Sequence, residues 1–228
     1  MRRKLNRVSA GIQPPQLPSL SQAGELPGGK LMAGAAYTQL ALSNCDLTGQ
    51  SAESLLFEQM TFRRVNLSQT HLNGVRLVDA RFDACNLAGL EAEKGYLRRI
   101  EFNGCQLLGA KWLESTFTDV WWIDCRIDLA LFWSSSFKAV RFERCSLSQA
   151  SFEGADLSGV VFRDCDLSQA DLRSAPLDGT DFRGSLMTDM QLDSRKLRGA
   201  IIDPAQAVAF VGLLGVVVKE REESREKE

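Results

Sequence analysis

Residues 155–172 read Ala155-Asp156-Leu157-Ser158-Gly159-Val160-Val161-Phe162-Arg163-Asp164-Cys165-Asp166-Leu167-Ser168-Gln169-Ala170-Asp171-Leu172. A large apolar residue falls on every fifth position, at Leu157, Phe162, Leu167 and Leu172. A small one sits two places before each, at Ala155, Val160, Cys165 and Ala170. Outward from this stretch the same frame holds without a slip from Leu42 to Ile202, and only Ala52 and Ala92 are small at the central site. A period of five fits neither the ~3.6 of a helix nor the 2 of a flat strand, so the segment is a repeat array.

A longer period of 20 residues lies inside the shorter one. Phe62, Phe82, Phe102, Trp122, Phe142, Phe162 and Phe182 form one series, and Leu47, Leu67, Leu87, Leu107, Ile127, Leu147 and Leu167 form the next. Phe would segregate from Leu at every fourth repeat only if four repeats closed one coil and like residues stacked coil upon coil. About eight coils at ~4.8 Å spacing make a rod roughly 40 Å long. At Ala92 the small site holds Leu90, a volume swap that keeps the cross-section filled. Gln50 beside Ala52 has no such compensation and predicts a looser first coil.

The small-x-large pattern closely resembles the pentapeptide-repeat family, whose motif is A-[D/N]-L-x-x, over residues 42–202. The resemblance implies an all-β solenoid, a right-handed quadrilateral β-helix with the central and small residues pointing inward. Ten glycines, among them Gly109, Gly159 and Gly199, stand two places after the centre, where a missing Cβ eases the corner between faces. Asp46, Asn66, Asn86, Asp156, Asp166, Asp171 and Asp181 stand just before the centre. Their expected role is to bond nearby backbone at the turns, not to act as catalytic carboxylates.

Cys45, Cys85, Cys105, Cys125, Cys145 and Cys165 occupy one inward column. One coil apart, their Cβ atoms stand ~4.8 Å from each other, beyond the ~3.8 Å a disulfide prefers. His71, the chain's one histidine, is outward on another face, so no mixed Cys/His metal set arises. The expectation is small buried thiols filling the core, no metal and no cofactor. Reduced cysteines point to the cytoplasm.

The chain divides into a basic then Pro/Gln/Gly-rich arm and cap (1–36), the β-helix (37–203), a C-terminal unit (204–218) and a charged tail (219–228). No apolar run approaches the ~18 residues of a membrane helix. The start Met1-Arg-Arg-Lys-Leu-Asn-Arg7 lacks the apolar stretch of a secretory signal. It reads as a solvated leader, with contact to nucleic acid or lipid as the alternative. The arm around Pro14-Pro15-Gln16-Leu17-Pro18 should be extended and fold over the first coil, as a cap or as a partner segment. Asp203-Pro204 begins a helix that runs to Leu214 and ends at Gly215. With Val216–Val218 it should close the last coil. The resemblance also implies that such a unit can join two copies end to end, through Val208, Phe210, Val211 and Leu214.

Outward positions carry function in such a rod, and polar residues are expected there. Apolar ones cluster within two coils: Leu108, Leu113, Trp121, Ile123, Leu129, Leu131 and Trp133. This patch is either a protein contact or a surface covered by the arm or by a second copy. No nucleophile with a matched base, phosphate loop or metal spacing supports an enzyme. The leading expectation is a non-catalytic scaffold that binds a protein partner. The alternative follows one branch of the family, duplex-DNA mimics that bind type II topoisomerases, DNA gyrase and topoisomerase IV. Residues 41–202 hold 22 acidic and 18 basic residues, a net of −4 that is weak for a polyanion mimic. Direct nucleic-acid binding is disfavoured, because the arginines interleave with acids.

Overall fold

The computed structural model describes residues 11–18, 22–213 and 215–219. Within them the chain winds as a parallel β-solenoid of about eight coils, followed by a short C-terminal helix. The pairing offset is one coil of 20 residues: Phe62 lies over Phe82, Phe82 over Phe102, Phe102 over Trp122 and Trp122 over Phe142. The first face is this column. Leu67, Leu87 and Leu107 centre the second, Leu72, Ala92, Trp112 and Phe132 the third, and Phe57, Leu77, Leu97 and Phe117 the fourth.

The corners follow from backbone stereochemistry. The residue two places after each centre turns the chain with positive φ, at Gly109 (65°) and Gly159 (73°), and equally at Asp79, Arg99, Asp119 and Leu129. Seven side chains fix the corners from the other side. Asp46, Asn66, Asn86, Asp156, Asp166, Asp171 and Asp181 each accept the N–H two residues on, at 2.9–3.2 Å. The sequence expectation for these residues holds, and such a bond satisfies a donor that the neighbouring coil does not reach.

The core is stacked as much as packed. The rings from Phe62 through Phe82, Phe102, Trp122, Phe142 and Phe162 to Phe182 form one unbroken pile, with centroids 3.9–5.8 Å apart. Leu90 and Ala92 are both buried, and a residual apolar cavity of about 10 Å³ lies beside Leu90 and Trp112. The volume swap at this level therefore leaves little void.

Cys85, Cys105, Cys125, Cys145 and Cys165 are buried and unpaired, whereas Cys45 is only half-buried. Their thiols have partners. Cys125 donates to the Ile123 carbonyl at 3.3 Å and to Phe102 of the preceding coil at 3.5 Å, and Ser115 does the same on the fourth face toward Ala92. The inward small site thus takes Cys or Ser because a carbonyl always stands within reach. A thiol reagent applied to the native protein is expected to modify Cys45 alone, and slowly, since burial pushes its thiol up. Mass spectrometry after a timed alkylation checks this. Equal labelling of all six thiols would contradict the buried column.

Both ends differ in detail from the expectation. Gln50 is no packing defect: its Oε1 accepts the Leu31 N–H at 2.8 Å and its Nε2 donates to the Gly29 carbonyl at 3.2 Å. It anchors a segment whose Leu26 and Leu31 are buried over the first coil. Residues Gln22–Ala23 add a short parallel strand against Leu40–Ala41. At the other end Asp203 and Gln206 form a capping box on a 3₁₀ turn, Pro204–Gln206, which leads into the helix Ala207–Leu213. The Gln206 amide also donates to the carbonyls of Phe182 and Ser185, each at 2.7 Å. Val216, Val217 and Val218 are 53–77% exposed, which corrects the expectation that they close the last coil. Residues 1–10, 19–21, 220–228 and Leu214 fall outside the described residues, and with them the readings made on the leader, part of the arm, most of the tail and Leu214.

Candidate protein-contact surface

Four faces divide the seven apolar residues of the sequence reading into two groups. Leu108 belongs to the second face, Leu129 to the corner between second and third, and Leu113, Leu131 and Trp133 to the third. Trp121 and Ile123 lie on the strand Thr116–Ile123, on the first face, half a coil away and on the opposite side of the rod. Ile123 is also only 5% exposed, and Trp121 is half-buried with Arg141 over its ring at 5.9 Å. These two do not join the patch. The reason is geometric: residues ten apart in a coil of 20 point in opposite directions, however near they are in sequence.

The five that remain form a strip along one corner. Leu108, Leu129 and Trp133 are 51%, 49% and 43% exposed, while Leu113 and Leu131 are half-buried beside them. Trp133 is held in a fixed attitude, because its Nε1 donates to Ser151 Oγ of the next coil at 2.7 Å. Beyond it a shallow groove of about 560 Å³ runs down the third face, between Trp133 and polar side chains that include Glu153, Asp171, Arg173 and Gln191. An aromatic anchor at the head of a polar groove suits a protein partner, since a Trp supplies much contact area at small entropy cost.

Leu129 carries a second signal. Its φ of 59° is left-handed, and the other corners hold Gly, polar residues or Ala, as at Ala84 and Ala139. A side chain in that region costs about 1 kcal/mol, and a Leu half in water adds exposed apolar area. The left-handed φ belongs to the corner, as at Asp79 and Arg99; what sets Leu129 apart is a large apolar side chain left 49% exposed there.

The diagonally opposite corner carries the N-terminal arm. Residues 11–18 do not fold over the first coil as expected, but run along the rod. The Gln13 N–H donates to Asp119 Oδ1 at 3.0 Å, and the Gln16 N–H to Asp79 Oδ1 at 2.8 Å. Gln59 Nε2 reaches the Gln16 carbonyl at 3.3 Å. Between the two acids Arg99 grips Asp79 through Nε and Nη2, both at 2.6 Å. Burial opposes ionisation of Asp79, but the bonds from Arg99 and the Gln16 amide outweigh it and hold the carboxyl below the usual range.

The family model described as the pentapeptide repeat region matches residues 35–112, 97–171 and 135–206. Among solved structures, a trypsin-treated form of QnrB1, a plasmid-mediated fluoroquinolone resistance protein, is 21% identical. The alignment covers 83% of this chain and 93% of that one, with a TM-score of 0.47. HetL, a pentapeptide repeat protein involved in heterocyst differentiation regulation from the cyanobacterium Nostoc sp. strain PCC 7120, is 20% identical. There the coverage is 76% and 90% and the TM-score 0.32. A search of curated protein sequences finds no match. No helix among the described residues is long and apolar enough to cross a membrane. With the five-residue frame, the four-sided coil and a family model matched across most of its length, the chain belongs to the pentapeptide-repeat family.

Proposed function

We propose that this chain is a non-catalytic scaffold that binds a protein partner along the strip of Leu108, Leu129 and Trp133. The observation that carries the reading is Leu129, an exposed apolar side chain kept in a left-handed corner. Leu129→Asn should leave stability unchanged or raise it by up to about 1 kcal/mol, because Asn tolerates the left-handed region. Combined with Trp133→Ser it should abolish partner capture while the circular dichroism stays the same. Affinity isolation from native extract, with both baits in parallel, checks this. A protein held by the native chain alone supports the strip. The same proteins on both baits overturn it. Type II topoisomerase subunits held by both baits would favour the duplex-mimic alternative in its place.

A homodimer through the C-terminal unit is the second part of the proposal. Leu186, Ile201 and Val208 are 61%, 42% and 61% exposed on the last coils and the helix, whereas Phe210 packs against the core and Val211 is half-buried. Val208→Glu is expected to convert the dimer to a monomer in analytical ultracentrifugation. An unchanged mass would remove this interface. The six unpaired cysteines support a cytoplasmic setting.

A further inference from the structure

The arm and its corner match in register. Gln13 and Gln16 are three residues apart, and in an extended polyproline conformation three residues advance ~9.3 Å. Asp79 and Asp119 are two coils apart, ~9.6 Å at the spacing of parallel strands. The two amides therefore fall on one side of the arm, at the pitch of every second coil. Pro14 and Pro15 between them have no N–H to leave unsatisfied, and they fix the backbone in the extended form. Both acids are enclosed, at 4% and 9% exposure, and the Gln13 amide donates to Asp119. The arm is half embedded along its length: Gly11, Gln13, Pro14 and Gln16 stay exposed, and Ile12, Pro15, Leu17 and Pro18 are half-buried. Recognition thus combines the two main-chain donors and the extended backbone with partial burial of Ile12, Pro15, Leu17 and Pro18.

We propose that this corner is a docking site for an extended, diproline-bearing peptide of a partner protein, and that the chain's own arm occupies it as a resident competitor. Any segment with amide donors at positions i and i+3 and prolines between them satisfies the same two carboxylates. The arm, tethered to the strand Gln22–Ala23, holds the site at a local concentration on the order of millimolar. A partner gains entry by outcompeting it, for instance when contacts elsewhere on the rod add to its affinity.

The test uses the full chain with Gln13→Pro and Gln16→Pro, which removes both arm donors and leaves the rod untouched. The probe is a synthetic peptide of residues 11–18 with the native sequence, titrated under two-dimensional NMR. Saturable shifts confined to the amides around Asp79, Arg99 and Asp119 are expected, with apparent affinity at least about tenfold weaker for the unsubstituted chain. Adding Asp119→Ala should abolish the shifts, and a peptide carrying proline at both Gln positions should give none. Three results would overturn the proposal: no saturable shift up to millimolar peptide, equal binding by the unsubstituted chain, or binding that survives Asp119→Ala. A doubled mass that persists in the Val208→Glu variant and is lost with Gln13→Pro and Gln16→Pro would also do so, by making the arm of a second copy the occupant.

Discussion

Trp122→Ala is expected to lower stability by about 3–5 kcal/mol, the range for deleting a large aromatic from a core. Trp122 is 0% exposed and stacked between Phe102 at 3.9 Å and Phe142 at 5.8 Å, so its loss opens a gap in a continuous pile. A solenoid cannot close that gap by moving one element, because each coil is fixed by the coils above and below. Trp122→Phe is expected to behave very differently. The indole N–H has no hydrogen-bond partner among the described residues, and an orphaned buried donor costs about 1–3 kcal/mol. Phe restores the residue type of the column and removes that donor, so the change should stay within about 1 kcal/mol despite the lost ring area. Denaturant midpoints for the two variants, measured beside Trp133→Ala, decide the matter. Equal losses for Trp122→Ala and the half-exposed Trp133→Ala would contradict the stacked core.

The second large effect is expected at Gln206. Gln206→Ala removes two bonds to the Phe182 and Ser185 carbonyls together with half of the Asp203 capping box. The Phe182 carbonyl keeps the Ser185 N–H at 3.0 Å, but the Ser185 carbonyl loses its side-chain donor, and with the lost cap the cost is about 2–4 kcal/mol in all. In a repeat array this loss is local, because stability is a sum of coils and nearest-neighbour interfaces. Amide hydrogen exchange should therefore quicken around Thr180–Ile201 while the strands from Arg76 to Glu143 keep their protection. Uniform acceleration along the whole rod would show that the array unfolds as one unit and that Gln206 is not an end cap.

What the sequence made legible was whatever depends on neighbours in the chain. The five-residue frame, the corner glycines and the Asp or Asn before each centre all act over two to five residues, and each is found where the periodicity put it. The 20-residue period fixed the stacking as well, because Phe over Phe is a pattern in sequence. Relations across the rod were less legible. Trp121 was grouped with Trp133 by nearness in the chain, yet half a coil separates the two. The arm's track was hidden for a different reason. Asp79 and Asp119 look like any other polar corner residue, and their amide partners lie 63 and 106 residues away. Gln206 gave no signal, since nothing local marks a glutamine whose amide reaches back 21 and 24 residues.

The constant pairing offset gives every outward side chain a simple address. Its compass bearing around the rod is its residue number counted within a coil of 20, and its altitude is the number of whole coils beneath it. An insertion of one full coil lengthens the rod and leaves all bearings intact. An insertion of a single five-residue unit preserves the inward frame, and therefore the fold, but swings everything beyond it by a quarter turn. Such a rod can thus change length in steps of 20, while a step of five inserted between Asp119 and Leu129 would turn the arm's corner and the Leu129–Trp133 corner from back-to-back to side by side.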